Sequence, residues 1–158
     1  MDARQVERLV GTYSDMILRL SYAYLRSTQD AEDICQNVLL RLMTTDQTFT
    51  DPTHEKAWII RVTINACKDE LRAARRRKTV SLEEARNVAI FAEEVSPVLT
   101  AVFSLPLKYR QVIHLYYYEG YSQREIAQLL GENENTVASR LHRGREKLKK
   151  ILGGQNND

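Results

Sequence analysis

The stretch that decides the reading is Gly120 to Leu152, GYSQREIAQLLGENENTVASRLHRGREKLKKIL. It holds two short helical patterns separated by a turn. Ser122 and Glu125 form an S-x-x-E capping box, in which each side chain serves the other residue's amide. Ile126, Ala127, Leu129 and Leu130 then make an apolar stripe. Gly131 stands where the chain must turn sharply, and glycine takes a left-handed conformation without a Cβ penalty. Asn133 predicts the N-cap of a second helix, with Glu134 at the positive end of its dipole. Val137, Leu141 and Leu148 are spaced to pack inward, and the small Ala127 lets the two helices cross closely. Asn135, Thr136, Ala138, Ser139, Arg140 and Arg143 are expected to face outward, with Arg145, Lys147, Lys149 and Lys150 extending the basic character. This is the layout of a helix-turn-helix that puts its second helix in a major groove. A helical hairpin with a solvated charged face is the bland alternative; the small residue, turn glycine and inward valine at these offsets weigh against it.

The rest of the chain reads as helical too. Its 158 residues allow one ordinary domain or two small ones. A hydrophobic share of 43% and a charged share of 28% are globular values, and a net charge of +2 makes the placement of charge matter more than its sum. Val6 to Arg26 carries a helix-period stripe through Val6, Leu9, Val10, Tyr13, Ile17, Leu20, Tyr24 and Leu25. Ser27-Thr28 breaks it. Thr28 or Asp30 is expected to cap a second helix whose Ala31, Ile34, Val38, Leu39 and Leu42 face a core. Asp46 to Thr53 is a polar loop closed by Asp51-Pro52, and a third helix runs from about Glu55 to Arg77. Residues 79–97 read as a flexible linker. Val98 to Phe103 opens a second helical unit, Leu105-Pro106 breaks it, and Tyr109 to Tyr118 forms the helix before the helix-turn-helix. The fold class is all-α: two small helical domains over 1–78 and 98–153, joined by the linker.

The two middle helices differ in charge. In the third, Ile60, Ile64, Cys67 and Leu71 make a buried seam. Arg61, Asn65, Lys68 and Arg72 follow one residue on and form a basic face with one amide in it. The helix ends in Arg75-Arg76-Arg77-Lys78, cations that suit both its C-terminal dipole and phosphates. A lone Asn among cations beside Trp58 fits a base edge outside the stack; an ordinary solvated face fits equally well. The second helix opens with Asp30, Glu32 and Asp33 before Gln36, Asn37 and Arg41. Its acidic start suits the helix dipole, or a basic protein partner, and makes DNA an unsuitable one.

Cys35 and Cys67 fall within helical apolar patterns and read as reduced core residues. His54, His114 and His142 have no ligand spacing with them, so no metal is expected. With no nucleophile, phosphate loop or cofactor motif, the chain is not expected to be an enzyme or to need a cofactor. No membrane-length apolar run or signal peptide is visible, which predicts a cytoplasmic protein.

Three runs taken in order, DAEDICQNVLLRLM (Asp30 to Met43), AWIIRVTINACKDELR (Ala57 to Arg72) and YRQVIHLYYYEGYSQREIAQLLGENENTVASRLHRGREKL (Tyr109 to Leu148), resemble bacterial RNA polymerase sigma factors of the extracytoplasmic-function group, which keep regions 2 and 4. The resemblance implies that residues 1–78 are region 2 and 98–153 region 4. It implies core-polymerase docking, through the β′ clamp, by Asp33, Gln36, Asn37 and Arg41. It implies minus-10 recognition and melting by Arg61, Asn65, Lys68 and Arg72, with Asn65 meeting a flipped base and the loop Thr50 to Lys56 helping to form its pocket. It implies minus-35 recognition by Asn135, Thr136, Ser139, Arg140 and Arg143. The implied partners are core RNA polymerase (β′ and β subunits), promoter DNA and an anti-sigma factor. Asn37 stands where the family usually has Glu, Ala138 where Lys or Arg is common, and Gly144 where Ala is commoner, the last expected to cost the helix up to ~1 kcal/mol. The alternatives are a dimeric helix-turn-helix repressor or activator that works without polymerase, and a helical adaptor that does not bind DNA.

Overall fold

The computed structural model describes residues 2–77 and 96–156, and these fall into two helical units, one on each side of the segment between them. The linker expected over 79–97 lies outside the described residues except for Ser96 and Pro97, as does Lys78.

The first unit is a three-helix cluster: α1 (Ala3–Leu25), α2 (Thr28–Thr44) and α3 (Pro52–Arg77), each packed on the other two. A capping box between Asp2 and Gln5 starts α1 (amide-to-side-chain distances 3.1 and 2.9 Å). Arg26 ends it in the left-handed region, φ 55°. Ser27, rather than Thr28 or Asp30, is the cap of α2, its hydroxyl accepting from the Asp30 amide. The third helix begins earlier than expected. Asp51 accepts from the His54 amide at 2.8 Å, and Pro52, whose missing N–H has no helical partner to lose, occupies the first turn. Leu9, Tyr13, Ile17, Leu20, Val38, Leu42, Ile60, Ile64 and Cys67 fill the core. Cys35 is buried as well, and both thiols are free. Val10, Leu39 and Leu71 are less covered than the patterns predicted: Val10 is exposed and the other two are half-buried.

The second unit contains α4 (Pro97–Ser104), α5 (Leu107–Ile113), a π-helical turn over His114–Tyr118, α6 (Gln123–Leu130) and α7 (Glu134–Asn156). Ser96 caps α4 and Pro97 is its first residue, so helix begins inside the expected linker. The expected helix Tyr109 to Tyr118 widens at its end, where the Glu119 amide donates to the His114 carbonyl five residues back. That brings His114 Nε2 to 2.9 Å from Glu119 Oε2, both buried. Packing of α7 against α4, α5 and α6 builds the core of the unit.

Gly144 corrects the expectation of a simple propensity loss. It is buried where α7 crosses α5, and a Cβ there would stand 2.9 Å from Ile113 Cδ1 and 3.4 Å from Tyr109 Cβ. The missing methyl is what lets the two helices approach.

Candidate nucleic-acid interface

The helix-turn-helix is set by local chemistry. Ser122 Oγ accepts from the Glu125 amide at 3.1 Å and the Glu125 carboxylate accepts from the Ser122 amide at 2.9 Å. Gly131 takes φ 65°, and the Glu132 amide then donates back to the Ala127 carbonyl at 2.9 Å. The Asn133 side chain accepts from the Asn135 amide at 2.7 Å, capping α7. Val137 and Leu141 are fully buried; Leu148 is half-buried.

This turn brings Asn135, Thr136, Ser139, Arg140 and Arg143 together along one open depression of about 400 Å³. Asn135, Ser139 and Arg143 are exposed, and Thr136 and Arg140 half-buried. Two residues the sequence reading missed complete it: Lys108 and Tyr109, from the start of α5. Their only sequence signal was the cation itself, since their place beside α7 is tertiary. The Lys108 and Lys147 ammonium groups stand 5.1 and 5.6 Å from the centre of the Tyr109 ring. Burial works to raise the Tyr109 phenol, but Lys108 and Arg143 beside it outweigh that and hold it below its ordinary value. Arg140 Nη1 lies 3.4 Å from Glu132 Oε1.

Not all of the expected basic extension belongs here. Arg145 Nε donates to the Tyr117 hydroxyl at 2.7 Å. With Lys149 it borders an apolar groove of about 510 Å³ lined by Val98, Val102, Tyr117, Tyr118 and Leu152.

In the first unit, Arg61, Asn65 and Arg72 are exposed on α3 and Lys68 is half-buried beside them. The basic end of the helix is partly countered: Arg72 is ion-paired with Asp69, and Arg77 Nη2 with Glu70 Oε1 at 2.7 Å. At the other end of α3, Phe49 meets Trp58 and His54 edge-on, with ring centres 5.5 and 5.4 Å apart. The loop expected over Thr50 to Lys56 is helical from Pro52, so this aromatic cluster, with Phe49 as the unforeseen member, flanks the helix start.

On α2, Asp33, Gln36 and Asn37 are exposed and line a groove of about 310 Å³ with Asp30, Ile34 and Glu70. Arg41 is exposed but not among the lining residues, and Leu40, 60% exposed, adds an apolar side chain to the helix surface. Burial, with Glu70 and Asp33 nearby, raises the Asp30 carboxyl above its ordinary value. Among the described residues no His, Cys, Asp and Glu group could hold a metal, and no helix is long and apolar enough to cross a membrane.

Comparison with known proteins matches the same two units. The family description "Sigma-70 region 2" covers residues 9–77 and "Sigma-70, region 4" covers 97–148. The chain belongs to the sigma-70 family of RNA polymerase sigma factors. Its relatives place it in the extracytoplasmic-function group. It is 30% identical over 155 residues to the extracytoplasmic-function sigma factor SigM of Mycobacterium tuberculosis, across 96% of this chain and 79% of that one. To SigW of Bacillus subtilis it is 30% identical over 162 residues, across 91% and 87%. Among solved structures, CnrH bound to the cytosolic domain of CnrY aligns with TM-score 0.66 and 26% identity, across 97% of this chain and 90% of that one. The sigma factor RpoE bound to the anti-sigma factor NepR of Bartonella quintana aligns with TM-score 0.73 over 96% and 98%; at 17% identity it speaks for the fold alone.

Proposed function

We propose that this chain docks on core RNA polymerase through α2 and directs it to promoters by reading two DNA elements. Residues 1–78 act as region 2 and 98–153 as region 4. The observation that carries the reading is the convergence of Asn135, Thr136, Ser139, Arg140 and Arg143, with Lys108, on one open face of a helix-turn-helix. That face reads the minus-35 element. Arg61, Asn65, Lys68 and Arg72 take the minus-10 element, with Asn65 offering its amide to a base that has left the stack and the Phe49–Trp58 cluster beside the start of the same helix. Asp33, Gln36, Asn37 and Arg41 meet the β′ subunit. Each DNA face is small, so neither alone holds a promoter tightly. Attachment to one polymerase makes the second contact intramolecular and turns two weak contacts into one specific one. Unstacking costs a few kcal/mol per step, which capture of flipped bases offsets. Catalysis belongs to the polymerase; the chain itself is a non-enzymatic, cytoplasmic initiation factor. Its further partners are the β subunit and an anti-sigma factor, a partner class that the complexes of RpoE with NepR illustrate for that protein.

The test is co-elution of the purified chain with bacterial core polymerase, followed by transcription from a promoter library. One-to-one association lost in Asp33→Asn, and promoter-dependent transcription lost in Arg140→Ala with Arg143→Ala, are expected. Failure to associate, together with tight DNA binding as a dimer, would overturn the reading in favour of a polymerase-independent regulator.

A further inference from the structure

Arg140 does not stand alone in the minus-35 face. Its guanidinium lies 3.4 Å from the carboxylate of Glu132, a residue of the turn eight positions earlier. The Glu132 backbone is already committed, its amide closing the turn onto the Ala127 carbonyl. Its carboxylate reaches across the turn to Arg140. The long Arg140 side chain points back along α7 toward its N-terminal end, as helical side chains do. Glu132 meets it there, at the end of the helix that enters a groove. The two side chains are 26% and 38% exposed, so in the free protein the pair contributes little to stability. Its effect falls on DNA.

An unaccompanied arginine at this place would settle on any phosphate within reach, which strengthens binding without reading sequence. A carboxylate beside it opposes that in two ways. It repels approaching phosphates, a like-charge penalty against the wrong partner. It also engages one of the five guanidinium donors and biases the orientation in which the rest are offered. An arginine so biased turns its remaining donors more often toward a base edge, the geometry that two-pronged recognition requires.

We propose that Glu132 is a specificity-determining, positioning residue of the minus-35 interface: it steers Arg140 away from phosphate and onto one base pair. The inference rests on the minus-35 reading above. Glu134, exposed in the first turn of α7, carries the same charge and provides a control, its place explained by the helix dipole.

The experiment uses the full chain bound to core polymerase, transcribing from a promoter library randomised through the minus-35 element. Arg140→Ala is expected to relax selection about tenfold at the base pair it reads. Glu132→Gln is expected to relax the same base pair about threefold while raising retention on non-promoter DNA. The double variant is expected to select as Arg140→Ala alone does, and Glu134→Gln as the unmodified chain does. Unchanged selection in Glu132→Gln, or relaxation at a base pair that Arg140→Ala leaves fixed, would overturn the proposal while leaving the minus-35 reading intact. Unchanged selection in Arg140→Ala would overturn the proposal as well, and unchanged selection throughout the minus-35 element in Arg140→Ala with Arg143→Ala would overturn the minus-35 reading itself.

Discussion

Arg8 and Glu55, 47 residues apart in sequence, meet in a two-pronged ion pair, Nη1 to Oε1 and Nη2 to Oε2 both at 3.1 Å. Tyr13 adds its hydroxyl to the same carboxylate at 2.5 Å. The arrangement clamps the first turn of α3 to α1, and so fixes the start of the helix whose exposed face carries Arg61, Asn65, Lys68 and Arg72. Glu55 is buried although Arg8 is not, so removing the carboxylate strands the Tyr13 hydroxyl in the core.

The clamp makes the first unit sensitive to pH at both extremes. Hydrogen bonding from Arg8 holds the Glu55 carboxyl below its ordinary value against the opposing effect of burial. Its contribution is therefore present above about pH 4.3, the unfolded value, and lost as pH falls through the lower folded one. Burial and Glu55 push the Tyr13 phenol up to about 12. That contribution is full below about pH 10 and lost as pH rises through the folded value. Thermal unfolding followed against pH should show both losses, and Glu55→Ala should remove the acid one and lessen the alkaline one, which the burial of Tyr13 sustains, while costing about 1–3 kcal/mol. An unchanged acid limb in Glu55→Ala would count against the clamp.

Gly144 yields a second prediction because two effects oppose each other there. Alanine gains about 1 kcal/mol of helix propensity. Its Cβ would also stand 2.9 and 3.1 Å from Cδ1 and Cγ1 of the fully buried Ile113. Gly144→Ala should therefore change stability by less than about 1 kcal/mol, whereas Gly144→Val should cost about 1–3 kcal/mol through overpacking. Ile113→Val removes the nearer of the two contacting carbons. Combined with Gly144→Ala it should be more stable than the sum of the single variants, a non-additivity that denaturant unfolding would measure.

Lys108 should behave as a phosphate contact. In Lys108→Ala, binding to duplex DNA should weaken by a similar factor across sequences, and the slope of log affinity against log salt should fall by about 1. A loss confined to one sequence would instead make it a base reader. Removing the ammonium should also let the Tyr109 phenol rise toward its ordinary value, which ultraviolet titration would follow.

What the sequence made legible was chemistry that acts locally. The Ser122–Glu125 box, the left-handed Gly131 and the Asn133 cap each depend on neighbours a few residues away, and all three are in place. The family's motifs added the order of the two units. Features that depend on distant parts of the chain escaped. Gly144 looked like a weak helix residue because its reason, Ile113, lies on another helix. Lys108 carried no mark of its place beside Arg143, and Arg145 read as an extension of the basic character of α7 although its guanidinium donates to Tyr117 beside the apolar groove. On α3 the cations stood out in sequence, while the carboxylates that counter Arg72 and Arg77, three and seven residues before them, fell between the positions of the basic pattern.

Those two carboxylates are adjacent, and they should separate the two jobs of the first unit. Asp69 pairs with Arg72, which belongs to the proposed minus-10 face. Glu70 pairs with Arg77 and also lines the groove with Asp33, Gln36 and Asn37. Asp69→Asn frees Arg72 and removes one negative charge beside the DNA, so polymerase carrying this variant should hold promoter DNA about two- to fivefold more tightly, with core affinity unchanged. Glu70→Gln takes a charge from the groove instead, and should weaken association with core polymerase by a similar factor. Each side chain is at least partly exposed, so neither substitution should unfold the unit. Titration of core polymerase and of promoter DNA against both variants gives four affinities. If Glu70→Gln alters only DNA binding, the groove on α2 is not the docking surface. If Asp69→Asn alters only core binding, Arg72 does not belong to the minus-10 face.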